Sequence, residues 1–377
     1  MRFRQLGRMA EIDAARWDAL FATDYPFIQH AYLAALEDTG CATPERGWTP
    51  CHLIAEDDAG ALLAAAPLYL KSHSWGEFVF DFSWAEAAQR AGLPYYPKLL
   101  TAVPFTPATG PRLGARDAAS RHALLHTLAT LPAQCGVSSW HGLFLPEADC
   151  DLSGAHAPLL RQDVQFHWRN RAGGYADFAA FLATLAGDKR KKILQERRKV
   201  AALGWHFETL PGDAFSETEW DDLYALYANT YEERGQPPYL TRAFFHDYAM
   251  RPGTPVRVTV AREGKRLMAM ALLVQGGDTL YGRHWGTLGF HDGLHFETCY
   301  YQGIEYCIHH GLARYDAGAQ GEHKLARGFD PVMTHSLHSF AEPRFAAAVS
   351  AALARERRLV AARHAELMAH SAYRSAA

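Results

Sequence analysis

Residues 281–331 read YGRHWGTLGFHDGLHFETCYYQGIEYCIHHGLARYDAGAQGEHKLARGFDP, and this stretch decides the fold. Its middle predicts an amphipathic helix, because apolar residues recur there at helical spacing. These residues are Leu294, Cys299, Ile304, Cys307 and Ile308. Gly311 follows them, where a helix most easily ends in a left-handed turn. Residues 312–319 are short and bounded by glycines, which is typical of a buried strand. The stretch therefore predicts strand, polar loop, helix and strand in succession.

The loop that follows this strand is crowded with ionisable residues. Residues 318–329 read GAQGEHKLARGF, with Glu322, His323, Lys324 and Arg327 inside six positions. Loops that follow the strands of α/β folds are where such folds place their chemistry. We therefore take this loop as the first candidate for a functional site.

The whole-chain composition indicates a globular protein of two domains. The chain has 377 residues, of which 49% are hydrophobic and 21% charged, and this length suits two domains of ordinary size. A net charge of −3 argues against a general binder of polyanions. The six cysteines include no C-x-x-C pair, which favours reduced thiols. With no signal-peptide pattern and no apolar run of 18 residues, we expect a soluble, cytoplasmic protein without a membrane span.

A strongly basic helix divides the chain. Residues 178–203 include DKRKKILQERRKVAAL, with Lys189, Arg190, Lys191 and Lys192 in succession. Two interpretations stay open: a solvated connecting helix, or a cationic arm that contacts phosphate on RNA or on a nucleotide-bearing cofactor.

The element pattern on one side of this helix repeats on the other. Each half predicts two helices, a hairpin and a further strand, which in the first half is EFVFDFSW at 77–84. A helix, a glycine and a strand follow in each half, with Gly136 and Gly311 at matching places. We interpret this as a duplicated α/β unit. The predicted divisions are 1–175, a connecting helix at 176–204, a second domain at 205–340 and a C-terminal helix at 341–377.

This order of elements, found twice and joined by a basic helix, resembles the Fem family of aminoacyl-transferring enzymes and the GNAT acyltransferase fold. Longer stretches are similar to the bacterial FemAB-like proteins of peptidoglycan biosynthesis and recognition. They are APLYLKSHSWGEFVFDFSWA (66–85), YYPKLLTAVPFTPATGPRL (95–113), RKKILQERRKVAALGWHFETL (190–210), HFETCYYQGIEY (295–306) and GAQGEHKLARGF (318–329). The resemblance implies tandem GNAT-like domains, each a mixed sheet flanked by helices, and transfer of an acyl or aminoacyl group.

Two departures from the family pattern bear on the substrates. CoA-using GNAT enzymes generally carry Q/R-x-x-G-x-G/A before a helix, where backbone N–H groups hold pyrophosphate, but Gly286, Gly289 and Gly293 lack that spacing. Fem transferases usually place Phe-Lys in the final loop, whereas this chain has His323-Lys324-Leu325-Ala326-Arg327. Acyl-CoA and aminoacyl-tRNA therefore both stay open as donors, and with the second comes a tRNA contact.

Acyl transfer to an amine needs a base, donors for the developing oxyanion and a protonated leaving group. Glu297, His323 and Tyr301 are the catalytic candidates; local helical pairing of Glu297 and a structural role for His323 are the alternatives. Lys324 and Arg327 would hold a carboxylate or phosphate, unless they pair with Glu322 or Asp330. The remaining substrate-binding candidates are Glu322, Trp285, Arg283, Asp81, Trp84, Tyr95, Tyr96 and Lys98. We expect those of the first half to line a cleft between the halves.

The sequence gives no support for a metal site. The histidine pairs His122/His126 and His291/His295 have no third ligand at a recognisable spacing, so we predict no metal site. The leading hypothesis is an enzyme that transfers an acyl or aminoacyl group to a small amine or an amino-acid-containing acceptor. The alternatives are a non-catalytic binder of a cell-wall precursor or RNA, and an acyl-CoA-dependent N-acetyltransferase.

Overall fold

The chain folds into two compact units. A computed structural model describes residues 1–150, 153, 157–319 and 321–374. The first unit comprises Met1–Val164 and Met333–Arg363, and the second comprises Gln165–Val332 and His364–Ala377. Gln320, inside the predicted loop at 318–329, lies outside the described residues.

The first unit has its helices and strands in mixed order. Its helices are α1 (Ala14–Phe21), α2 (His30–Asp38), α3 (Phe82–Arg90) and α4 (Ala118–Cys135). Its strands are β1 (Arg2–Leu6), β2 (Trp48–Pro50), β3 (His52–Glu56), β4 (Leu62–Ala66), β5 (Tyr69–Lys71), β6 (Lys98–Thr101), β7 (Gly114–Ala115) and β8 (Ser139–Leu145). Strand β9 (Leu159–Arg169) begins in this unit and ends in the next.

The strands of the first unit form two sheets. Strands β1, β3, β4 and β7 make a four-stranded antiparallel sheet. Strands β2, β5, β6 and β8 lie side by side in the other sheet, where β6 and β8 run parallel because α4 connects them. Helix α4 packs Leu124 and Leu128 into a core with Trp140 of β8. Asp117 caps its N-terminus by accepting from Ser120 N, and Gly136 ends it in the left-handed conformation.

The strand predicted at 77–84 is wrong. Phe78 has a φ of 60° and helix α3 starts at Phe82, so the alternating pattern forms a loop and a helical turn instead. The reason is electrostatic, because Glu77 and Asp81 both turn inward to bind the ammonium group of Lys98. Phe80, between them, is 56% exposed.

The second unit contains the basic helix. Its helices are α5 (Phe178–Thr184), α6 (Gly187–Ala201), α7 (Glu217–Glu232), α8 (Arg242–Phe244), α9 (Leu294–Phe296) and α10 (Gln302–His309). Its strands are β10 (His206–Pro211), β11 (Val256–Glu263), β12 (Arg266–Gly276), β13 (Thr279–Thr287) and β14 (Arg314–Asp316). Strand β15 (Asp330–Phe340) and helix α11 (Pro343–Ala369) each belong partly to both units.

The sheet of the second unit has the order β10-β11-β12-β13-β14-β9. Strands β13 and β14 run parallel, and the helical segment 294–309 connects them. The same strand–helix–strand unit thus occurs on both sides of the basic helix, as the sequence predicted. The predicted α/β class, with mixed sheets flanked by helices, is confirmed.

Two features of the second unit add to the predicted pattern. Helix α7 is opened by a capping box of Ser216 and Glu219. Strand β15 was not predicted, and its pairing with β8 assigns residues from Met333 onward to the first unit. This division therefore differs from the predicted boundaries at 175 and 340.

The predicted C-terminal helix from Pro343 is present as α11. Through the described part of the chain, no helix is both long and apolar enough to cross a membrane.

Candidate functional site

A small cavity lies in the second unit where β12 and β13 meet the helical segment after β13. Its volume is about 120 Å³. Among the lining residues, those with polar or aromatic side chains are Arg283, His284, Trp285, His295, Cys299, Tyr300 and Tyr315. The β12–β13 register shifts between Leu272 and Leu273, so that Arg283 is the extra residue of a bulge. Bulges re-aim side chains and occur often beside active sites, and this one lies in the cavity wall.

The opposite wall comes from an irregular helical turn. Residues Glu297–Tyr301 form a π-helix between α9 and α10, a feature common at functional sites. Tyr300 Oη lies 2.9 Å from His323 Nε2, which joins the predicted loop to the cavity. Burial raises the pKa of Tyr300, so its hydroxyl keeps its proton near neutral pH.

The two histidines beside Tyr300 are held in their neutral forms. Burial, together with the nearby His323 and Lys324, lowers the pKa of His295 to about 4. The pKa of His323 is also lowered, by partial burial and by the charges of Arg327 and Lys324. A neutral imidazole can accept a proton, so the cavity has a proton acceptor next to a hydroxyl donor.

Lys324 is buried beneath the loop and does not reach solvent. It is 1% exposed, and its Nζ donates to the carbonyls of Ala317 and Gly318 at 2.9 and 2.7 Å. Burial lowers its pKa to about 8. Asp316 is also buried, and its Oδ2 has no hydrogen-bond partner among the described residues. The predicted role of Lys324 in holding a carboxylate or phosphate stays a prediction, since in this structure its ammonium binds the two residues that follow β14.

Arg327 pairs with a residue of the basic helix. Its Nη2 lies 2.6 Å from Glu196 Oε1, and its Nε donates to Tyr301 Oη at 3.1 Å. The Tyr301 hydroxyl in turn donates to Glu196. Arg327 thus pairs with Glu196, and Asp330 accepts from Ser371 Oγ at 2.7 Å. Because Arg327 and Tyr301 use their polar groups internally, neither is placed to contact a substrate.

Glu297, a predicted base, is part of a buried ion pair. Arg197 binds both of its oxygens, Nε to Oε2 at 3.0 Å and Nη2 to Oε1 at 2.9 Å. The same guanidinium binds Glu305, and Gln302 donates to Glu297 at 2.8 Å. Since Glu297 is 4% exposed and both oxygens accept from Arg197, a structural role fits it better than proton transfer.

The basic helix has two faces with different surroundings. Glu196 and Arg197 lie on the same side as the buried Ile193 and Val200, whereas Lys191 and Lys192 are exposed. Lys189 and Arg190 are half-buried, and Lys189 pairs with Asp188 at 3.0 Å. Glu322 is also exposed.

The candidates of the first unit form a separate buried cluster. Lys98 Nζ donates to Ser74 Oγ, Glu77 Oε2 and Asp81 Oδ2 at 2.8, 2.8 and 2.5 Å. Tyr95 Oη donates to the same Asp81 oxygen at 2.6 Å. Burial raises the pKa of Glu77 to about 7.

The other two candidates of this unit border the same cluster. Tyr96 reaches it through Ser74, with 2.8 Å between the two hydroxyl oxygens. Trp84 packs against the imidazoles of His141 and His338, whose Nδ1 atoms lie 2.6 Å apart. All five predicted residues of the first half are thus near one another, but Lys98 is fully buried and uses its three protons internally.

Sequence reasoning missed the roles of Glu196 and Arg197, counting both only as charges of a basic helix. The available signal was their spacing from Ile193 and Val200, which places them on the inner face. His295 was not among the predicted site residues, although it lines the cavity. Within the described ranges, no three His, Cys, Asp or Glu side chains cluster as metal ligands would.

Comparison with known protein families assigns the chain. The model of the FemAB-like family, described as peptidoglycan biosynthesis/recognition, matches residues 8–375. The chain belongs to the FemAB-like family. The match includes both units, and it confirms the resemblance found in the sequence.

Solved structures with the same fold exist, although their sequences are distant from this FemAB-like chain. The C-terminal domain of a putative lysylphosphatidylglycerol synthetase from Agrobacterium fabrum has a TM-score of 0.53 and 12% identity, covering 92% of this chain and 96% of that domain. A conserved protein of unknown function from Bacteroides thetaiotaomicron has a TM-score of 0.52 and 12% identity, with 90% and 100% covered. FemX has a TM-score of 0.49 and 10% identity, with 90% and 97% covered. No curated protein matches significantly in sequence.

Proposed function

We propose that the protein transfers an acyl or aminoacyl group to an amine, with the chemistry in the cavity of the second unit. The observation that carries this proposal is that Arg283 and Tyr300 line one small space, while the imidazole of His323, whose pKa is lowered, lies 2.9 Å from the Tyr300 hydroxyl. A volume of about 120 Å³ equals that of roughly four water molecules. It suits a small acyl group or an amino-acid side chain, with the rest of the donor outside.

The residues divide the work of the reaction. The amine nitrogen attacks the ester or thioester carbonyl, a carbon–nitrogen bond forms and the bond to the leaving oxygen or sulfur breaks. The proton lost by the amine passes through Tyr300 to His323, whose imidazole is the better base because the pKa of His295 is only about 4. Arg283 faces the carbonyl oxygen as it becomes negative. The protonated imidazole then returns the proton to the leaving group.

The glycines at the end of β13 and in the loop that follows favour an aminoacyl ester over acyl-CoA as the donor. Gly286 lies within β13, and a Cβ there would be 2.2 Å from Leu226 O, so glycine is required for packing against α7. Gly293 has a φ of 84°, so glycine there serves a left-handed turn before the helical segment. Each glycine thus has a structural reason of its own that needs no pyrophosphate-binding loop. The family description favours an amine of a peptidoglycan precursor as the acceptor.

A two-arm transfer assay tests this proposal. One arm supplies total ¹⁴C-aminoacyl-tRNA and the other ¹⁴C-acetyl-CoA, each with a peptidoglycan pentapeptide that carries a free amine. We expect label transfer in the aminoacyl arm. Tyr300→Phe should lower kcat at least tenfold by removing the proton path. Tyr306→Phe is the matched control, because that hydroxyl lies within hydrogen-bond distance of Arg257 and Gln275 and not in the cavity wall.

Three results would count against the proposal. Transfer in neither arm, together with peptide binding that survives Tyr300→Phe, would favour the non-catalytic binder. Transfer from acetyl-CoA alone would replace the donor assignment. Equal rates for Tyr300→Phe and Tyr306→Phe would remove the chemistry from this cavity.

A further inference from the structure

An exposed apolar loop lies at the end of β13, three residues beyond the cavity-lining Trp285. Phe290 is 90% exposed and Leu288 is 37% exposed. A single exposed apolar residue is ordinary on a protein surface. This loop is unusual because it presents two apolar side chains close together and exposes nearly the whole phenyl ring of Phe290 to solvent.

Contacts on both sides of Phe290 hold the loop in place. Gly289 and Gly293 both adopt positive φ, 78° and 84°. His291 packs edge-on against Trp205 with 4.7 Å between ring centroids. Asp292 accepts a salt bridge from Lys199 at 2.6 Å. The loop is therefore joined directly to helix α6, and Phe290 extends into solvent.

The solvent-exposed face of α6 is cationic, and Lys199 on this face contacts the loop. Its exposed residues include Lys191, Leu194 and Arg198, spaced three and four apart and so forming one stripe. Lys192 and Lys199 lie beside them, also exposed, and Leu194 is 43% exposed. Lys199 pairs with Asp292 of the loop, so the exposed face of α6 carries four basic side chains and Leu194, and it is joined through Lys199 to the loop that presents Leu288 and Phe290.

We propose that this surface binds the headgroup region of an anionic lipid bilayer. We call it the interfacial patch, formed by Leu288 and Phe290 of the loop and by Lys191, Lys192, Leu194, Arg198 and Lys199 of α6. Lysine and arginine would neutralise lipid phosphates while the phenyl and leucine side chains enter the acyl boundary. This arrangement would place the cavity at the membrane surface, within reach of a lipid-linked acceptor.

The apolar members favour lipid over RNA as the occupant. Protein surfaces that bind single-stranded nucleic acid stack bases on aromatic rings beside a basic groove. Two of the three apolar side chains in the patch are leucines, which offer no ring for stacking. The net charge of −3 also means that attraction to an anionic surface must come from this local cluster. The inference does not depend on the proposed transfer reaction.

Co-sedimentation of the full chain with vesicles tests the inference. Vesicles of pure phosphatidylcholine are compared with vesicles containing 30% phosphatidylglycerol at low salt. We expect binding to the anionic vesicles alone, weakening as salt is raised. Each basic residue near an anionic surface contributes about fivefold in affinity, so K191E/K192E should reduce partitioning more than tenfold. Phe290→Ser should reduce it at least fivefold by removing the inserted ring.

Matched controls separate the patch from general charge and hydrophobicity. K265E/R266E changes two adjacent exposed basic residues at the β11–β12 turn, and Leu359→Ser changes a residue of α11 that is 71% exposed. Both should stay within twofold of the wild type. Equal binding to the two vesicle types, or equal loss in all four variants, would overturn the proposal. So would tRNA binding that is lost in K191E/K192E while anionic vesicles are ignored.

Discussion

Each unit holds a cation between two carboxylates, but the two cations differ in how fully they satisfy the hydrogen-bonding oxygens of those carboxylates. In the second unit, Arg197 binds Glu297 and Glu305 through a planar fork. In the first unit, Lys98 meets two carboxylates with one ammonium group. In the described structure, Glu77 Oε1 and Asp81 Oδ1 are left buried without hydrogen-bond partners.

A guanidinium offers five donors in a fixed geometry, whereas an ammonium offers three. The arginine network can therefore satisfy its carboxylates and act as a rigid support for the cavity beside it. The lysine cluster cannot, and the pKa of Glu77, raised to about 7 by burial, reflects that deficit. The following predictions test this contrast.

Removing the ammonium of the first unit should have the largest effect on stability. Lys98→Met leaves Glu77 and Asp81 as buried carboxylates without a counter-charge. Such a change costs about 3–5 kcal/mol, measurable as a loss in the free energy of unfolding in urea. The triple variant K98M/E77Q/D81N should recover much of the loss. A cost below about 1 kcal/mol would show that the cluster is not buried as described.

The raised pKa of Glu77 should make stability depend on pH. Its folded-state pKa of about 7 exceeds the ordinary 4.5, so the folded state holds the proton more tightly. Its contribution is present below pH 4.5 and is lost as pH rises to about 7. At 1.36 kcal/mol per pKa unit, the loss is about 3 kcal/mol.

The measurement compares the free energy of unfolding of the wild type and Glu77→Gln across this pH range. The free energy of unfolding of the wild type minus that of Glu77→Gln should fall by about 3 kcal/mol as pH rises from 4.5 to about 7. A value of this signed difference that stays constant or rises over the same range would contradict the assigned position of Glu77.

The fork geometry of the second unit predicts a smaller effect. Arg197→Lys keeps the charge but cannot reproduce the paired contacts to Glu297 and Glu305, so we expect a loss of about 1–2 kcal/mol. Arg198→Lys is the control on the same helix, because Arg198 is exposed and its Nε donates to the backbone carbonyl of Leu194 rather than to a carboxylate. It should stay within about 0.5 kcal/mol. Equal losses of stability in Arg197→Lys and Arg198→Lys would show that the paired contacts of the Arg197 guanidinium do not contribute to stability.

Features set by local sequence could be predicted, and those set by distant partners could not. The hairpins, the helix before Gly136 and the strand–helix–strand unit of 281–331 follow from periodicity and from glycine positions. The strand predicted at 77–84 failed because Lys98, far along the chain, draws Glu77 and Asp81 inward. Strand β15 was missed because its buried residues include polar ones such as His335 and His338, which give no apolar alternation.

Contacts between distant residues also limited what the sequence could predict about the candidate site. Of the predicted residues, Tyr300 next to Tyr301 lines the cavity of the second unit, and His323 of the charged loop contacts the Tyr300 hydroxyl. The sequence did not reveal that Arg197, 100 residues earlier, binds Glu297, or that the neighbouring Tyr300 faces the cavity instead. A bulge at Arg283 likewise depends on how β12 and β13 pair, and no local pattern specifies it.

The claim that the cavity performs chemistry while the ion pair supports it is tested most directly by comparing kcat/KM for His323→Asn and Glu297→Gln. The substrates are the labelled aminoacyl-tRNA and the pentapeptide amine. His323→Asn removes the base and should lower kcat/KM about 100-fold or more, with loss of the wild type's acid limb below pH 6.5. Glu297→Gln should lower the free energy of unfolding, because Arg197 loses a charged partner, while kcat/KM stays near the wild-type value. A large loss of turnover in Glu297→Gln, with His323→Asn retaining the wild-type rate and pH profile, would contradict the account.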